Sequence, residues 1–357
     1  MKRPSFRRLK IFFKVLWKKL TVLEKALIGF LILILILDLA GFFGIFFKVN
    51  EEDVLPEKGG ILVEGMIGQP RLINPLFART DTDKTLSSLV FSGLVKYNKQ
   101  REIIPSLAER WEVSQDKKDY KFFLRKDIYW HDGVQFNAED VLYNVAVLQN
   151  PDYKESLKAV WEGIVIEKND DFTVTFHLPK TYPSFLDNVT IGLVPRHVWD
   201  STPVADFSKS PFNLNAIGTG SYKIDGVNRD KDGKTTSLKM AANQSLGDAS
   251  PNLQTLELRF YDDTDSLLKG FKMREFTSFG MYSSESEQVA ENTRGYKNYS
   301  VNIPQYVAIF LNKKKNLALG DVAVRQALSY ALDKNKINEV GTYGAGIVID
   351  SPILPNY

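Results

Sequence analysis

The feature that most limits this chain is an apolar run near its N-terminus. Residues 26–37 carry no polar side chain, Asp38 interrupts, and residues 39–47 resume the run. As a helix rising about 1.5 Å per residue, 26–47 reaches roughly 33 Å, close to the hydrocarbon thickness of a bilayer. Nine basic residues precede it, from Lys2 to Lys25. Positive flanks stay on the cytoplasmic side of a membrane. The sequence therefore predicts a basic cytoplasmic arm at 1–25, a single-pass transmembrane anchor at 26–47, and a body held outside the cytoplasm, in a periplasm or at the cell surface. Asp38 near mid-span costs about 3 kcal/mol on an insertion scale, which the surrounding Leu, Ile and Phe residues offset. A cleaved signal peptide fits less well, because the charged region is too long and no small-x-small site follows. In the arm, Ile11, Phe12, Phe13 and Trp17 interleave with lysines, as in a helix lying on an anionic leaflet.

The overall charge of +3 conceals this division. Residues 1–50 hold ten basic and two acidic side chains, a net of +8. The remaining 36 basic and 41 acidic side chains leave −5. Beside a membrane span, neither value points to nucleic acid. The chain has no cysteine, which removes thiolate metal sites, thiol nucleophiles and a lipid-modified N-terminal cysteine.

Residues 48–58 are polar, include Pro56, and read as a linker to a body at 59–357. Gly59 and Gly60 introduce a first strand at Ile61, Leu62 and Val63. Residues 120–130 suit a strand, with a turn at His131, Asp132 and Gly133. Asn137 is placed to cap a helix, with Glu139 and Asp140 in its first turn and Phe136 stapled onto Val141. Residues 164–167 and 172–178 form a hairpin pattern, with Phe172, Val174, Phe176 and Leu178 on one face. A second hairpin joins 222–227 to 237–241. Leu256, Leu258 and Phe260 alternate in a later strand. Asp321 can cap a helix that carries Val324, Leu328, Ala331 and Leu332 on one side. Strands with helices between them predict mixed α/β lobes.

The chain contains no Walker loop and no GxSxG elbow. His131, His177 and His197 are dispersed, without metal-ligand spacing. Asn228, Asp230, Asp232 and Gly233 mimic half of a calcium loop, but Lys239 stands where a bidentate Glu is required, so a hairpin turn is the better reading. Nothing points to an enzyme, a metal or a cofactor.

Several motifs occur in order: NPL at 74–76, PSLAERWEVS at 105–114, YKFFLR at 120–125, WHDG at 130–133, NAEDV at 137–141, GTGSY at 218–222, and DVAVRQALSYALD at 321–333. Together they resemble the extracellular solute-binding proteins of family 5, the oligopeptide- and dipeptide-binding components of ABC importers. Ser221 stands where that family usually has Pro. The resemblance implies an α/β, bilobal periplasmic-binding-protein-like clamp of the large peptide-binder type. Its sub-lobes would fall at 59–91 plus 191–303, at 92–190 and at 304–357. The implied function is capture of peptides between two lobes and delivery to ABC permease subunits, without bond making. A ligand-sensing receptor on the same clamp, or a binder of nickel, haem or another small solute, is the alternative. The motif residues themselves suit scaffold roles: Trp111, Tyr120, Phe122 and Leu124 as core, and Asn137 as a cap.

The resemblance also implies where solute is touched: Arg79, Thr80 and Asp81 after the NPL turn, then Gly280, Met281 and Tyr282, then Tyr306 at the crossing into the distal lobe. Arg79 as a surface ion-pair partner and Tyr282 as a packing residue are the plainer alternatives. Family chains continue beyond the equivalent of Tyr357, so the distal lobe is expected to be incomplete in this sequence.

Overall fold

The computed structural model describes residues 20–46, 57–280, 296–297, 299, 306–341 and 346–351; the side chains at 37, 39–46 and 248 are outside that description. The residues fall into two compact units, 1–57 and 58–357.

In the first unit, helix α1 runs Val22–Phe46. The Thr21 backbone N–H and hydroxyl both donate to Glu24 Oε2, at 2.7 and 2.8 Å, which closes its first turn. Among the described residues no helix is long and apolar enough to cross a membrane; the described side chains of α1 run to Ile36, with Asp38 beyond. The basic arm up to residue 19, the last residue of the expected anchor, 47, and most of the linker, 48–56, lie outside the described residues.

The second unit begins with β1 (Ile61–Ile67), α2 (Asp81–Val90) and the short strands β2 (Val95–Tyr97) and β3 (Ile103–Pro105). Then come β4 (Ala108–Val113), β5 (Asp119–Leu124), α3 (Ala138–Gln149), β6 (Val165–Asp170) and β7 (Thr173–His177). They are followed by β8 (Tyr222–Arg229), β9 (Thr235–Ala242), β10 (Thr255–Tyr261), α4 (Thr264–Lys272) and β11 (Ser278–Phe279). Helices α5 (Val322–Ala331) and α6 (Lys334–Gly341) close the described order.

A five-stranded sheet has the order β11-β1-β10-β9-β8. Its β11, β1 and β10 are parallel, while β9 and β8 run antiparallel as a hairpin. A four-stranded antiparallel sheet has the order β4-β5-β7-β6, and β2 pairs with β3 alone.

Strand β1 is covered on both faces. Leu62 and Met66 pack on the main core, which also holds Leu256, Leu258, Phe260, Leu238 and Met240. Val63 turns the other way, onto Leu267, Phe271 and Phe276. Gly65 permits this approach, since a Cβ there would lie 2.6 Å from the Phe276 ring. In the four-stranded sheet the apolar face expected over 172–178 packs inward, but Thr173 and Thr175 on the opposite face are buried as well. Val174, Phe176 and Leu178 are buried, and Phe176 meets Phe122 edge-on at 5.6 Å and Phe185 at 5.4 Å. Full burial of one such ring stabilises the fold by about 2–3 kcal/mol.

The strand expected over 120–130 stops at Leu124. The chain then turns, and a lone bridge joins Tyr129 to Gln135 around Gly133 at φ +91°. Asn137 does cap α3, in a reciprocal box with Asp140. The pseudo-calcium segment is a hairpin turn, in which Asp230 Oδ1 accepts the Asp232 and Lys234 N–H groups, each at 2.9 Å. Asp321 caps α5 as expected, but that helix buries none of its residues among those described.

Candidate functional site

Three parallel strands end together, and the candidate site lies at their carboxyl edge. In open α/β sheets this edge is where ligands bind, because the chain leaves the strands in loops that present free backbone groups. Gly68 follows β1, and its N–H donates to Tyr261 O, the last residue of β10, at 2.8 Å. Pairing of Gly65 with Phe279 brings Gly280 to the same edge.

The segment 68–81 is held by side chains of α2. Thr82 Oγ1 donates to Ile67 O at 3.0 Å. Gly68 sits at φ +110°, and a Cβ there would stand 2.5 Å from that hydroxyl. Buried Asp83 accepts the N–H groups of Arg71 and Leu72 at 2.8 and 3.0 Å. Asn74 forms the expected turn, accepting Leu76 N–H on its side chain and the Phe77 and Ala78 N–H groups on its carbonyl. Sequence reasoning misses Asp83 and Thr82. Their only local signal is their place in the first turn of α2; the loop they hold lies 11 to 15 residues earlier.

Arg79 emerges from this turn with its side chain 69% exposed. Its Nε donates to Glu155 Oε2 at 2.9 Å, and its Nη2 donates to the other carboxylate oxygen. The bidentate bond to Glu155 raises the guanidinium pKa above its ordinary value. Glu155 is itself positioned, since the nearby Tyr153 hydroxyl donates to Leu76 O and the Tyr153 ring meets Phe77 edge-on at 5.2 Å. Thr80 is the N-cap of α2, its hydroxyl accepting Asp83 N–H at 3.1 Å. Asp81 is exposed, 3.8 Å from Lys84. Arg79, Thr80 and Asp81 thus share one corner. Gly280 is exposed at the neighbouring strand end, and Tyr306 is 46% exposed. Met281 and Tyr282 lie outside the described residues. Glu64, within β1, has its carboxyl pushed up by burial.

Among the described residues no cluster of three or more His, Asp or Glu side chains could hold a metal. His177 Nδ1 pairs with Asp119 at 2.8 Å, and His197 Nε2 with Asp132 at 2.7 Å. His131 faces two backbone groups, Gly218 N–H and Gly220 O.

The profile of the bacterial extracellular solute-binding proteins, family 5 Middle, matches residues 102–357. The chain belongs to this family. Among family 5 relatives, the oligopeptide-binding protein AppA of Bacillus subtilis (strain 168) is 28% identical, over 85% of this chain and 56% of its own length. The dipeptide-binding protein of Escherichia coli (strain K12) is 29% identical, over 81% of this chain and 57% of its own. The solved structure of Bacillus subtilis AppA in complex with a nonapeptide superposes with a TM-score of 0.73 at 27% identity, covering 85% of this chain and 59% of that one. The family 5 chain described here therefore spans a little over half the length of the curated relatives it matches. The match bears out the α/β periplasmic-binding-protein-like fold and the solute-binding class.

Proposed function

We propose that this chain is the extracytoplasmic solute-binding subunit of an ABC importer and that its solute is a peptide, passed on to a membrane permease. The observation that carries the reading is the family 5 match over residues 102–357. The names of the two relatives, an oligopeptide- and a dipeptide-binding protein, favour peptide as the solute. The carboxyl edge of β1, β10 and β11 supports it chemically. An extended peptide offers repeated backbone donors and acceptors, which loops at strand ends can meet without selecting a side chain. Arg79, Thr80, Asp81, Gly280, Met281, Tyr282 and Tyr306 are the proposed contacts. Lobe closure over the solute is the proposed signal to the permease.

Calorimetry of the full chain against di- to pentapeptides tests the reading, with nickel and haem run in parallel. Saturable heat from peptides is expected. Silence towards every peptide, or saturation by nickel or haem alone, overturns it.

The N-terminal unit is proposed to be the membrane anchor, with its basic arm inside the cell. Support comes from the apolar run at 26–47, the basic residues before it, and the unbroken helix Val22–Phe46. Retention in the membrane pellet after alkaline carbonate is expected, with the body cleaved by protease added outside. Release by carbonate would rule the anchor out.

A further inference from the structure

The His131 ring joins two parts of the chain that are far apart in sequence. Gly218 N–H donates to Nδ1 at 3.2 Å, and Nε2 lies 3.1 Å from Gly220 O. An N–H donor facing Nδ1 and a carbonyl facing Nε2 select one species, the neutral ring protonated on Nε2. The backbone repeats the link, with His131 N–H donating to Gly218 O at 2.8 Å. The glycine segment is wedged from behind as well. Gly220 N–H donates to Val90 O at 2.7 Å, and Asn243 Nδ2 donates to Gly220 O at 3.0 Å. A Cβ on Gly218 would stand 1.9 Å from Val90 O. The segment cannot slide, so a change in the ring must be met by the ring.

The ring also has a route to water. An open cleft of about 410 Å³ is lined by His131, Asp132, the segment 215–217 and the first half of β8. The charged groups facing it are few. Lys223 comes from β8. Asp132 is held by His197 Nε2 and by the Val134 N–H. Asp225, also on β8, is paired with Lys239 of β9 at 2.9 Å. Leu89 and Val90 of α2 add only backbone carbonyls.

We propose that His131 is an acid-released latch between the turn at 131–133 and the glycine segment 218–220. Protonation places an N–H on Nδ1, opposite the Gly218 N–H, and turns an acceptor into a second donor. One hydrogen bond is lost and two donors face each other. Burial already disfavours the charged ring and holds its pKa below the ordinary value; the Gly220 carbonyl opposes this, Lys223 adds to it, and Asp132 opposes it more weakly. The unfolded chain therefore takes up a proton first, near pH 6.5. Stability present above that pH is lost as pH falls towards the lowered folded value.

The test uses the full chain from pH 7.5 to 4.5. Imidazole NMR follows each histidine, assigned with His131→Gln, His177→Gln and His197→Gln. Hydrogen exchange, corrected for its intrinsic pH dependence, follows the Gly218 amide. The expected result is an Nε2–H ring at neutral pH, and a Gly218 protection factor that falls about tenfold as that ring alone is protonated, the worth of one net hydrogen bond. Because the NMR titration is made on the unsubstituted chain, it stands even if His131→Gln fails to fold. An Nδ1–H ring at neutral pH overturns the proposal. So does protonation without loss of Gly218 protection, or a ring that stays neutral until the whole body unfolds.

Discussion

The indole N–H of Trp130 donates to Asp140 Oδ2 at 3.2 Å, inside the body. Asp140 also accepts the Asn137 N–H on the same oxygen at 3.1 Å and the Arg196 N–H on the other at 3.0 Å. One buried carboxylate thus closes the N-terminus of α3, fixes one of the buried tryptophans and anchors the chain at 196. Asn144 extends the seam by bonding both the N–H and the carbonyl of Val194. Asp140→Ala leaves three donors without their acceptor and is expected to cost about 3 kcal/mol in urea unfolding. Asp140→Asn keeps one acceptor oxygen and is expected to cost about half as much. Equal losses would show that the charge, and not the acceptor count, sets the energy.

Gly218 and Gly226 make a paired test of close approach. Neither has a positive φ. A Cβ on Gly218 would meet the Val90 carbonyl at 1.9 Å, whereas one on Gly226 has nothing within 4 Å. Gly218→Ala must push backbone against backbone and is expected to destabilise by about 3 kcal/mol or to prevent folding. Gly226→Ala should change stability by less than about 0.5 kcal/mol. Thermal unfolding of the two variants side by side checks the difference.

His177 acts in the opposite sense to His131. Its Nδ1 lies 2.8 Å from Asp119, and its Nε2 lies 3.4 Å from Glu167. The Asp119 hydrogen bond raises its pKa, with Glu167 adding to it, against a smaller effect of burial. Its contribution is therefore present below about pH 6.5 and is lost as pH rises through the raised folded value. His177→Gln should remove part of the stability that the native chain gains on going from pH 8 to pH 6. Parallel pH profiles for the two proteins would contradict the assignment.

Arg79 separates binding from folding. Its guanidinium is exposed, and its partner Glu155 comes from a loop fixed by Tyr153. Exposed ion pairs add little to stability, so Arg79→Ala should leave the thermal midpoint nearly unchanged. If Arg79 touches solute, the same variant weakens peptide affinity about tenfold or more, as loss of a charge-assisted hydrogen bond does. Unchanged affinity in calorimetry would return Arg79 to the role of a surface ion-pair partner.

Much of this body was legible in the sequence, because the deciding interactions are local. The hairpins over 165–177 and 222–242, the Asn137 cap and the Asp230 turn each follow from residues within a few positions of one another. The strand expected to reach Trp130 shows the limit. Its aromatic residues suit a strand, yet Trp130 is drawn inward by Asp140 rather than continued along a sheet. The amphipathic pattern of α5 names a candidate face at Val324, Leu328, Ala331 and Leu332, but that helix buries none of its residues among those described, so the pattern does not say what the face would meet.

The sequence by itself determined the alternation of strands and helices, their caps and turns, the apolar N-terminal run and the motifs that mark the family. Those depend on side-chain period, backbone φ and local hydrogen bonds. Only the tertiary structure decided that β1 lies between β10 and β11, that Arg79 meets Glu155 across 76 positions, and that the His131 ring spans Gly218 and Gly220. Each of those pairings closes a long loop. Its energy is returned only when the intervening chain has packed, so no short window of sequence can contain it.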